Sequence, residues 1–289
     1  MSVLELFCAV DDRMLNFAPQ LKAMQLAAGK QRERAGQLYP GEVMTILIHF
    51  HQSHYRTFKA YDTEYVQVHL SREFLHLVSY QRFVALILGM LVPLLAYVQS
   101  RYGVCTGISF IDSTSLEVCD PKRISGHRVF ATDARRGKTS MGWFFAFTLH
   151  LAVNDQGELL ACCLTPGNVD DRTPAPRLVK RRRGKLFGDR GYISVPLTTL
   201  LFEQGLQLIT RLRKNMQNHL LPLSEKLLLR KRAIIESIID QLKTISQLEH
   251  SRHRSPTNFV VHLLAGLIAY SHQDKKPGLH LDAHALLLA

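Results

Sequence analysis

The sequence predicts an α/β domain preceded by a helical N-terminal domain, and three observations support that fold class. Apolar residues recur at helical spacing through residues 1 to about 100. Short β-rich runs that alternate apolar and polar residues begin after Gly103. These runs are separated by turn residues and by helical segments, which is typical of a mixed sheet flanked by helices. The predicted domains are therefore residues 1–100 and residues 101–289.

The N-terminal domain contains two well-marked helices. Pro40, Gly41 and Glu42 precede the apolar run 43–48, and a fixed φ followed by an early acid favours a helix start. The second helix is predicted for Tyr80 to Tyr97, where apolar residues keep helical spacing. Two interpretations stay open: a DNA-binding module, with or without a helix-turn-helix, and a purely structural helical cap. The domain is only moderately basic, through Arg56, Lys59, Arg72 and Arg82.

The second domain begins with a strand, Gly107 to Asp112, that is expected to end at its carboxylate. A hairpin follows, from Phe144 to Thr165, about the turn Asn154 to Gly157. No helix is evident in the polar segment 168–183. The remaining predicted elements are a strand at Lys185–Asp189, a helix from Pro196 to about Gln204, a strand at Leu206–Leu212 and a helix from about Leu223 to Leu248.

The charge of the chain is high and uneven. Its formal net charge is +12, and a basic protein of this kind is usually matched to a polyanion, most often a nucleic acid. Residues 1–100 hold nine Lys and Arg against eight Asp and Glu, whereas residues 101–289 hold 27 against 16. The sequence therefore places a nucleic-acid backbone against the second domain.

The cysteines and the apolar segments indicate the cellular compartment in which the protein is expected. Five cysteines with no C-x-x-C pairing do not suggest a disulfide framework, so reduced thiols in a cytoplasm are expected. No secretory leader is apparent. The apolar stretch Val84–Val98 contains Gly89 and Pro93 and is shorter than a membrane span, so it is interpreted as a buried helix. His49, His51 and His54 do not share a helical face, which argues against a zinc site.

Three acidic residues are candidates for a site that binds hard cations, which prefer carboxylate oxygens. Asp112 and Asp189 are each expected at a strand end, and Glu236 lies in a helix with Arg232 and Lys243 on the same face. Simpler roles compete with this interpretation: Asp112 as a turn cap, Asp189 as a turn carboxylate or a local ion pair with Arg190, and Glu236 on a solvated helix face. Asp170 and Asp171 compete with Asp189, and the residues alone do not decide between them.

Two basic runs lie near the predicted strand ends. Lys180, Arg181, Arg182 and Arg183 precede the strand that carries Asp189, and Arg211, Arg213 and Lys214 follow the next strand. If these side chains lie beside a metal site, they would hold phosphates and make binding steeply dependent on salt. Each run is otherwise an ordinary solvated cluster of charge.

Several spaced motifs together resemble one known family. The segments Phe110–Thr114, Thr165–Asp171, Gly188–Tyr192 and Arg232–Glu236 resemble the DDE transposases of bacterial insertion sequences. The stretch Tyr39 to Tyr65 is similar to that of insertion-sequence family nine-eighty-two, so the resemblance covers nearly the whole chain. It implies an RNase H-like catalytic domain that cuts element ends and joins them to target DNA.

The resemblance also implies the roles of individual residues. Asp112, Asp189 and Glu236 would be the first, second and third acids, which hold two Mg²⁺ or Mn²⁺ ions. Asp170 and Asp171 match a different motif of the family, so the metal position falls to Asp189. Arg232, Lys243 and Arg190, with the run 180–183, would position phosphates. The implied partners are the terminal inverted repeats, target DNA and further copies of the chain in a dimer or larger complex; the implied setting is the bacterial cytoplasm and nucleoid, with no membrane.

Two positions depart from the family pattern. The expected tyrosine before Arg232 is Leu229, and a lysine expected in the hairpin is Thr148. Two other functions therefore remain to be weighed: a metal-dependent nuclease that never joins strands, and a catalytically impaired copy that only binds DNA.

Overall fold

The computed structural model describes residues 1–27, 37–139, 142–212, 221–249 and 253–279. The chain forms two compact units. The first comprises Met1–Arg101 with Leu242–Asp274, and the second comprises Tyr102–Gln241 with Lys275–Ala289. The segment Leu242–Asp274 thus belongs with the N-terminal helices, although the sequence analysis placed it with the second domain.

All the regular secondary structure in the described residues of the first unit is helical. A π-helical turn, Tyr61–Val66, lies between α3 and α4, and a 3-10 turn, Leu88–Met90, lies between α5 and α6. The helices are α1 (Val3–Ala27), α2 (Pro40–Phe50), α3 (Phe58–Ala60), α4 (Gln67–His69), α5 (Tyr80–Ile87) and α6 (Leu91–Ser100), with α11 (Pro256–Ser271) from the other end of the chain.

Two nearly all-apolar helices form the core of this unit. The predicted start of α2 is confirmed: Pro40 is its first residue, and Glu42 Oε2 accepts a hydrogen bond from the Tyr39 amide at 2.7 Å. All residues of α11 from Val261 to Ser271 are buried, and α11 packs on α2 and α6. A helix that is apolar on every side is stable only when it is surrounded, and the N-terminal helices supply that cover. This packing explains why α11 joins the first unit.

One helical stretch, Tyr80–Ser100, is long and apolar enough to cross a membrane by length and composition alone. The 3-10 turn at Leu88–Met90 interrupts it, and Phe83, Ile87 and Leu94 are buried. Tyr97 also shares a 2.8 Å hydrogen bond with His272, just beyond α11. The stretch is thus partly buried, with 39% of its apolar window covered by the rest of the protein, whereas a buried helix was predicted.

Buried histidines cluster in the first unit. His51 is 5% exposed and its Nδ1 lies 2.7 Å from the Ser246 carbonyl, which makes that nitrogen the donor. His262 is 6% exposed, and its Nδ1 lies 3.3 Å from His51 Nε2. Burial lowers the pKa of His51 and of His253 to about 4 and lowers the pKa of His262 well below 6.5. The cluster is therefore neutral at pH 7.

We expect acid to destabilise this unit. The folded pKa of His51 is below its ordinary value of 6.5, so its contribution to stability is complete above pH 6.5 and is lost as the pH falls toward about 4. For His51 alone the loss at pH 5 is about 2 kcal/mol. Urea unfolding at pH 7 and pH 5 measures it: His51→Gln should show a smaller pH effect than the wild type, and His76→Gln, at an exposed histidine, should not.

The second unit is built on a six-stranded mixed sheet, with the order β2–β3–β1–β5–β6 and with β4 also paired to β3. The pairs β1–β3, β2–β3 and β3–β4 are antiparallel, and β1–β5 and β5–β6 are parallel. The strands are β1 (Ile108–Cys119), β2 (Arg135–Thr139), β3 (Gly142–Asn154), β4 (Leu159–Pro166), β5 (Gly184–Gly188) and β6 (Leu206–Thr210). The helices are α7 (Ala175–Leu178), α8 (Val195–Glu203), α9 (Leu223–Lys231) and α10 (Ala233–Thr244).

Most of the predicted elements of this unit are present. The hairpin turns where predicted, and Gly157 has a φ of 77°, a left-handed conformation that favours glycine. Helix α8 and strands β5 and β6 lie within two residues of their predicted bounds. One face of the sheet buries Ile111 and Leu186 against α7 and α8 through Leu178, Leu197 and Leu201. The expected α/β architecture, a mixed sheet with helices packed on it, is confirmed.

Four details differ from the prediction. Strand β1 does not end at Asp112 but continues to Cys119, because β3 pairs with it along its whole length. Strand β2 and the four-residue helix α7 were not predicted. The long helix expected from Leu223 to Leu248 is divided into α9 and α10 at Arg232. The cysteines agree with the prediction, since all five thiols are free.

Candidate active site

The strand register brings Asp112 and Asp189 side by side. In the parallel pair β1–β5, Phe110 lies opposite Phe187. Asp112 and Asp189 each follow that pair by two residues, so they leave adjacent strands at the same level and in the same direction. Adjacent strands lie about 4.8 Å apart. Two acids that are 77 positions apart in the sequence therefore lie next to each other at one level of the sheet.

Asp112 is a carboxylate in a confined position. Its side chain is 21% exposed, and its Oδ1 accepts a 2.9 Å hydrogen bond from the Ser113 amide. Burial raises the pKa of Asp112, and the negative charge of Asp189 acts in the same direction. The Ser113 amide and Arg232 oppose that shift. A partly buried anion beside a second anion is energetically unfavourable unless a cation lies close to it.

Arg232 provides such a cation, and it connects Asp112 to Glu236. Its Nη1 lies 2.9 Å from Asp112 Oδ2, and its Nη2 donates to Glu236 Oε1. The Arg232 side chain is 18% exposed. Its position at the break between α9 and α10 directs one guanidinium between the two acids. Asp112 and Glu236 are thus separated only by the width of a guanidinium group.

Asp189 is more exposed than Asp112. Its Oδ1 accepts a hydrogen bond from the Gly191 amide and caps the 3-10 turn Arg190–Tyr192. This is the turn role considered as an alternative to metal binding. The described residues contain no Arg190–Asp189 ion pair, so the local ion pair considered for Asp189 is absent there. One Asp189 oxygen is engaged by the turn, and the side chain still acts electrostatically on Asp112.

Tyr192 is a site residue that was not predicted from the sequence. Its ring is 2% exposed in the core, and its hydroxyl is a buried polar atom with no hydrogen-bond partner. Burial raises the pKa of Tyr192, and the negative charges of Asp171, Asp112 and Asp189 add to that effect. Tyr192 is therefore a neutral donor among three acids. Its place in the Gly188–Tyr192 motif was the one signal that pointed to it.

A cavity of about 330 Å³ lies beside the acids. It is lined by the three residues after Asp112 (Ser113, Thr114 and Ser115) and by Lys138, Thr148, Asp171 and Gly191, among others. Thr148, the position where a lysine is expected, is 7% exposed and lies opposite Ser115 in the sheet. Lys138, on the unpredicted strand β2, supplies a cation to the same cavity.

The two acids that were set aside, Asp170 and Asp171, both line this cavity but have different partners. Asp170 forms an ion pair with Arg172, which lowers the pKa of Asp170 to about 2. Asp171 lies 3.5 Å from Nδ1 of the buried His150, whose Nε2 is 2.8 Å from Thr165 Oγ1. Asp171 also influences Tyr192. Asp171 is thus part of the acidic neighbourhood, whereas Asp170 is engaged by its own arginine.

The run 180–183 lies at the opposite end of β5 from Asp189. Strand β5 has five residues, and at 3.3 Å per residue it separates the run from the acids by roughly 17 Å. Lys180, Arg181 and Arg183 are exposed. Arg182 differs, because its Nη2 donates to the Leu160 carbonyl at 2.6 Å. The run therefore does not lie beside the acids, and Arg182 is bonded within the fold.

The other candidate cations fall into three groups. Lys243 lies 3.1 Å from Glu249 Oε1, so the charge of Lys243 is paired with an acid other than Glu236. Arg190 is exposed in the turn after Asp189. Arg211 is exposed just after β6, while Arg213 and Lys214 lie outside the described residues.

Leu229 is a core position, being 6% exposed in α9. A side chain at this place packs into the protein. We expect Leu229→Tyr to lower the free energy of unfolding by about 1–3 kcal/mol through overpacking. Urea unfolding measures the change, with Leu227→Tyr, at a position 48% exposed, as the matched control. Equal stability of the two variants would contradict the core assignment.

The donor chemistry of the site fits a hard divalent cation. Asp112, Asp189 and Glu236 offer only carboxylate oxygens, which Mg²⁺ and Mn²⁺ prefer. Among the described residues no three acid, histidine or cysteine side chains are already grouped as a metal site. Arg232 accounts for this, since its guanidinium lies between two of the acids. A metal ion that binds Asp112 and Glu236 together would therefore displace Arg232.

Comparison with known proteins identifies a family for the second half of the chain. A family model described as a transposase DDE domain matches residues 102–256, which include Asp112, Asp189 and Glu236. The matched segment is more than half of the 289 residues. Searches of curated proteins and of solved structures give no match.

Proposed function

Since the chain belongs to the family of transposase DDE domains, we propose that it is a DNA transposase that cleaves phosphodiester bonds at element ends and joins the freed 3′ ends to target DNA. The family makes the chain an enzyme that acts on DNA. The observation that carries the finer proposal is the geometry of Asp112, Asp189 and Glu236. Two acids leave adjacent strands at one level, and Arg232 connects the third to the first.

We assign the binding of two Mg²⁺ or Mn²⁺ ions to Asp112, Asp189 and Glu236. When bound, such ions supply Lewis-acid stabilisation of the attacking and leaving oxygens of a phosphodiester. Asp112 is suited to this role because burial and a neighbouring acid already make its isolated negative charge unfavourable. Asp189 keeps an oxygen beyond the one that caps the turn.

The surrounding residues would position the DNA strand. Arg232, once released from the acids, would hold a phosphate oxygen through its planar pair of donors. The Tyr192 hydroxyl, buried without a partner, would donate a hydrogen bond to an acid or to the reacting phosphate. The exposed residues Lys180, Arg181 and Arg183 lie about a strand length from the acids. We assign them to DNA several nucleotides from the cleaved bond.

Lys138 would contact the DNA backbone in place of the lysine expected at Thr148. Its ammonium lies 5.4 Å from the centre of the Trp143 ring, and it lines the cavity next to the acids. We expect Lys138→Gln to weaken DNA binding regardless of sequence and to reduce the slope of log K against log salt by about 1. Lys122→Gln, an exposed lysine outside the cavity, is the matched control. Equal salt slopes for the two variants would contradict this role.

The fold supports a narrower family assignment. The antiparallel strands β1, β3 and β4 followed by the parallel strands β5 and β6 form a mixed sheet with two acids at its parallel junction. This is the arrangement expected of an RNase H-like domain, and we propose that class for the second unit. The similarity of Tyr39 to Tyr65 supports placement in insertion-sequence family nine-eighty-two, with the first unit as the part that binds element ends.

The test of the function separates cutting from joining. A labelled duplex of the inverted repeats that flank the reading frame is incubated with the protein, Mg²⁺ and a target plasmid. Labelled ends joined to plasmid support a transposase, and joining of two ends to one plasmid would require both ends in one complex, hence at least a dimer. Cleavage without any joined product would instead establish the nuclease, and binding without cleavage would establish an impaired copy.

A further inference from the structure

The first unit contains a cavity that the proposed chemistry does not use. Its volume is about 770 Å³, within the range of small-ligand sites. All of its lining residues belong to the first unit. We propose that this cavity binds a single unstacked nucleotide, with the base against aromatic rings and the phosphate at the basic rim.

The rim of the cavity is uniformly basic. Arg56, Lys59 and Arg254 line it and are exposed, and no aspartate or glutamate is among the lining residues. Within the described parts of the chain none of these three cations has a salt bridge. Unpaired cations that converge on one opening favour an anion.

The first turn of α11 adds to this preference. Helix α11 has 16 residues and begins at Pro256, with Ser255 as its N-cap and no acid in its first turn. Arg254 directly precedes the cap, and Asn258 in the first turn lines the cavity. The positive end of a helix beside a free arginine is suited to a phosphate group.

Aromatic side chains form the wall behind the rim. Phe58 and Tyr80 are partly exposed, and their ring centres are 6.4 Å apart. Phe259 also lines the cavity. Stacking on such rings contributes about 1–3 kcal/mol per base for single-stranded nucleic acids. The combination of rings and cations distinguishes a nucleotide from a simple anion, which would not need the rings.

Two residues in the wall of the cavity each carry a buried oxygen that has no hydrogen-bond partner. Asn258 Oδ1 and Gln247 Oε1 are both buried without a hydrogen bond. An unpaired buried acceptor costs about 1–3 kcal/mol, which a donor from a ligand would recover. Base amino and imino groups are such donors. Both residues line the cavity, so a rotation of the Asn258 or Gln247 side chain that brings its oxygen to a base edge would recover this cost.

The backbone around one acceptor is held in an uncommon conformation. Gln247 has a φ of 51° and His54 has a φ of 62°, both in the left-handed region. Gln247 Nε2 donates to the His54 carbonyl at 3.1 Å, which fixes the amide so that its oxygen stays in the wall. Strain retained at a cavity is typical of binding sites. The nearby His51, His253 and His262 are neutral, and they are not grouped as a metal site in the described chain.

This inference rests on the proposed function only for the source of the nucleotide. An unpaired nucleotide of a DNA strand and a free mononucleotide share the required chemistry. Three probes separate these sources when the full chain is used: deoxyadenosine 5′-monophosphate, a duplex with one bulged 2-aminopurine nucleotide, and the same duplex fully paired. Binding is measured by calorimetry and by fluorescence anisotropy without a divalent ion.

We expect the bulged duplex to bind about tenfold more tightly than the paired one, as stacking of one base implies. Phe58→Leu and Asn258→Leu should remove this preference, and Arg254→Gln should weaken binding of both duplexes. Arg72→Gln, an exposed arginine outside the cavity, is the matched control. Tight binding of the mononucleotide alone would assign the site to a free nucleotide, still as a nucleotide site.

Equal affinity for bulged and paired duplexes, with no binding of the mononucleotide, would overturn the inference. That outcome is independent of the cleavage assay, because it uses no metal ion and no element end. Conversely, the protein could prefer the bulged duplex and yet neither cleave nor join DNA. That result would overturn the transposase proposal and leave the cavity assignment intact. Circular dichroism of each variant establishes that it is folded.

Discussion

Replacement of Asp112 by asparagine is expected to abolish metal-dependent DNA cleavage while DNA binding is retained or strengthened. Asparagine has nearly the same shape, so the strand β1 and the Ser113 contact remain. It lacks the negative charge that would hold a divalent cation, and we expect the cleavage rate to fall by about 10²- to 10³-fold or more. Binding should be at least as tight, because one negative charge near the phosphates is removed.

The measurement pairs end cleavage in Mg²⁺ with DNA binding in its absence. Asp133→Asn is the matched control, since Asp133 is an exposed acid of the same unit and its Oδ2 accepts only a local hydrogen bond from Thr132. Unchanged cutting by Asp112→Asn would remove Asp112 from the site. Equal loss of activity in both variants would point to a general effect of charge instead of a metal ligand.

The sequence carried enough information to place two of the three acids. Strand-like alternation before Asp112 and Asp189 predicted a strand that leads to each acid, and the register Phe110–Phe187 shows that these two strands are parallel neighbours. The prediction that β1 stops at Asp112 was wrong because the end of a strand depends on its partner. The 13-residue strand β3 continues to pair beyond Asp112, and no local signal in the polar run Ser113–Ser115 reports that pairing.

Long-range packing accounts for what the sequence analysis missed. The assignment of α11 to the N-terminal helices follows from which surfaces cover an all-apolar helix, and periodicity does not contain that information. The same limit applies to Arg182. Its place in a basic run suggested phosphate binding, whereas its hydrogen bond to the Leu160 carbonyl joins two parts of the chain that are 22 residues apart.

The second large effect is expected at Arg232, where one substitution should move two measurements in opposite directions. Arg232 neutralises Asp112 and Glu236 by contacting both. Arg232→Met keeps the length of the side chain but removes the competing cation, so we expect Mn²⁺ to bind the DNA-free protein about tenfold more tightly. The same variant lacks the group that would hold a phosphate, so its cleavage rate should fall by about 10²-fold.

Tighter Mn²⁺ binding together with slower cleavage is expected only of a residue that occupies the cation position and also takes part in the reaction. A residue needed only for folding would weaken Mn²⁺ binding and cleavage together, and a surface cation would change neither. Arg128→Met, at an exposed arginine of the same unit, represents the second case. Mn²⁺ affinity is read by calorimetry without DNA, so it does not depend on activity. If the affinity of Arg232→Met is unchanged or lower, Arg232 does not compete with the metal, and the three acids would have to meet around the ion by another rearrangement.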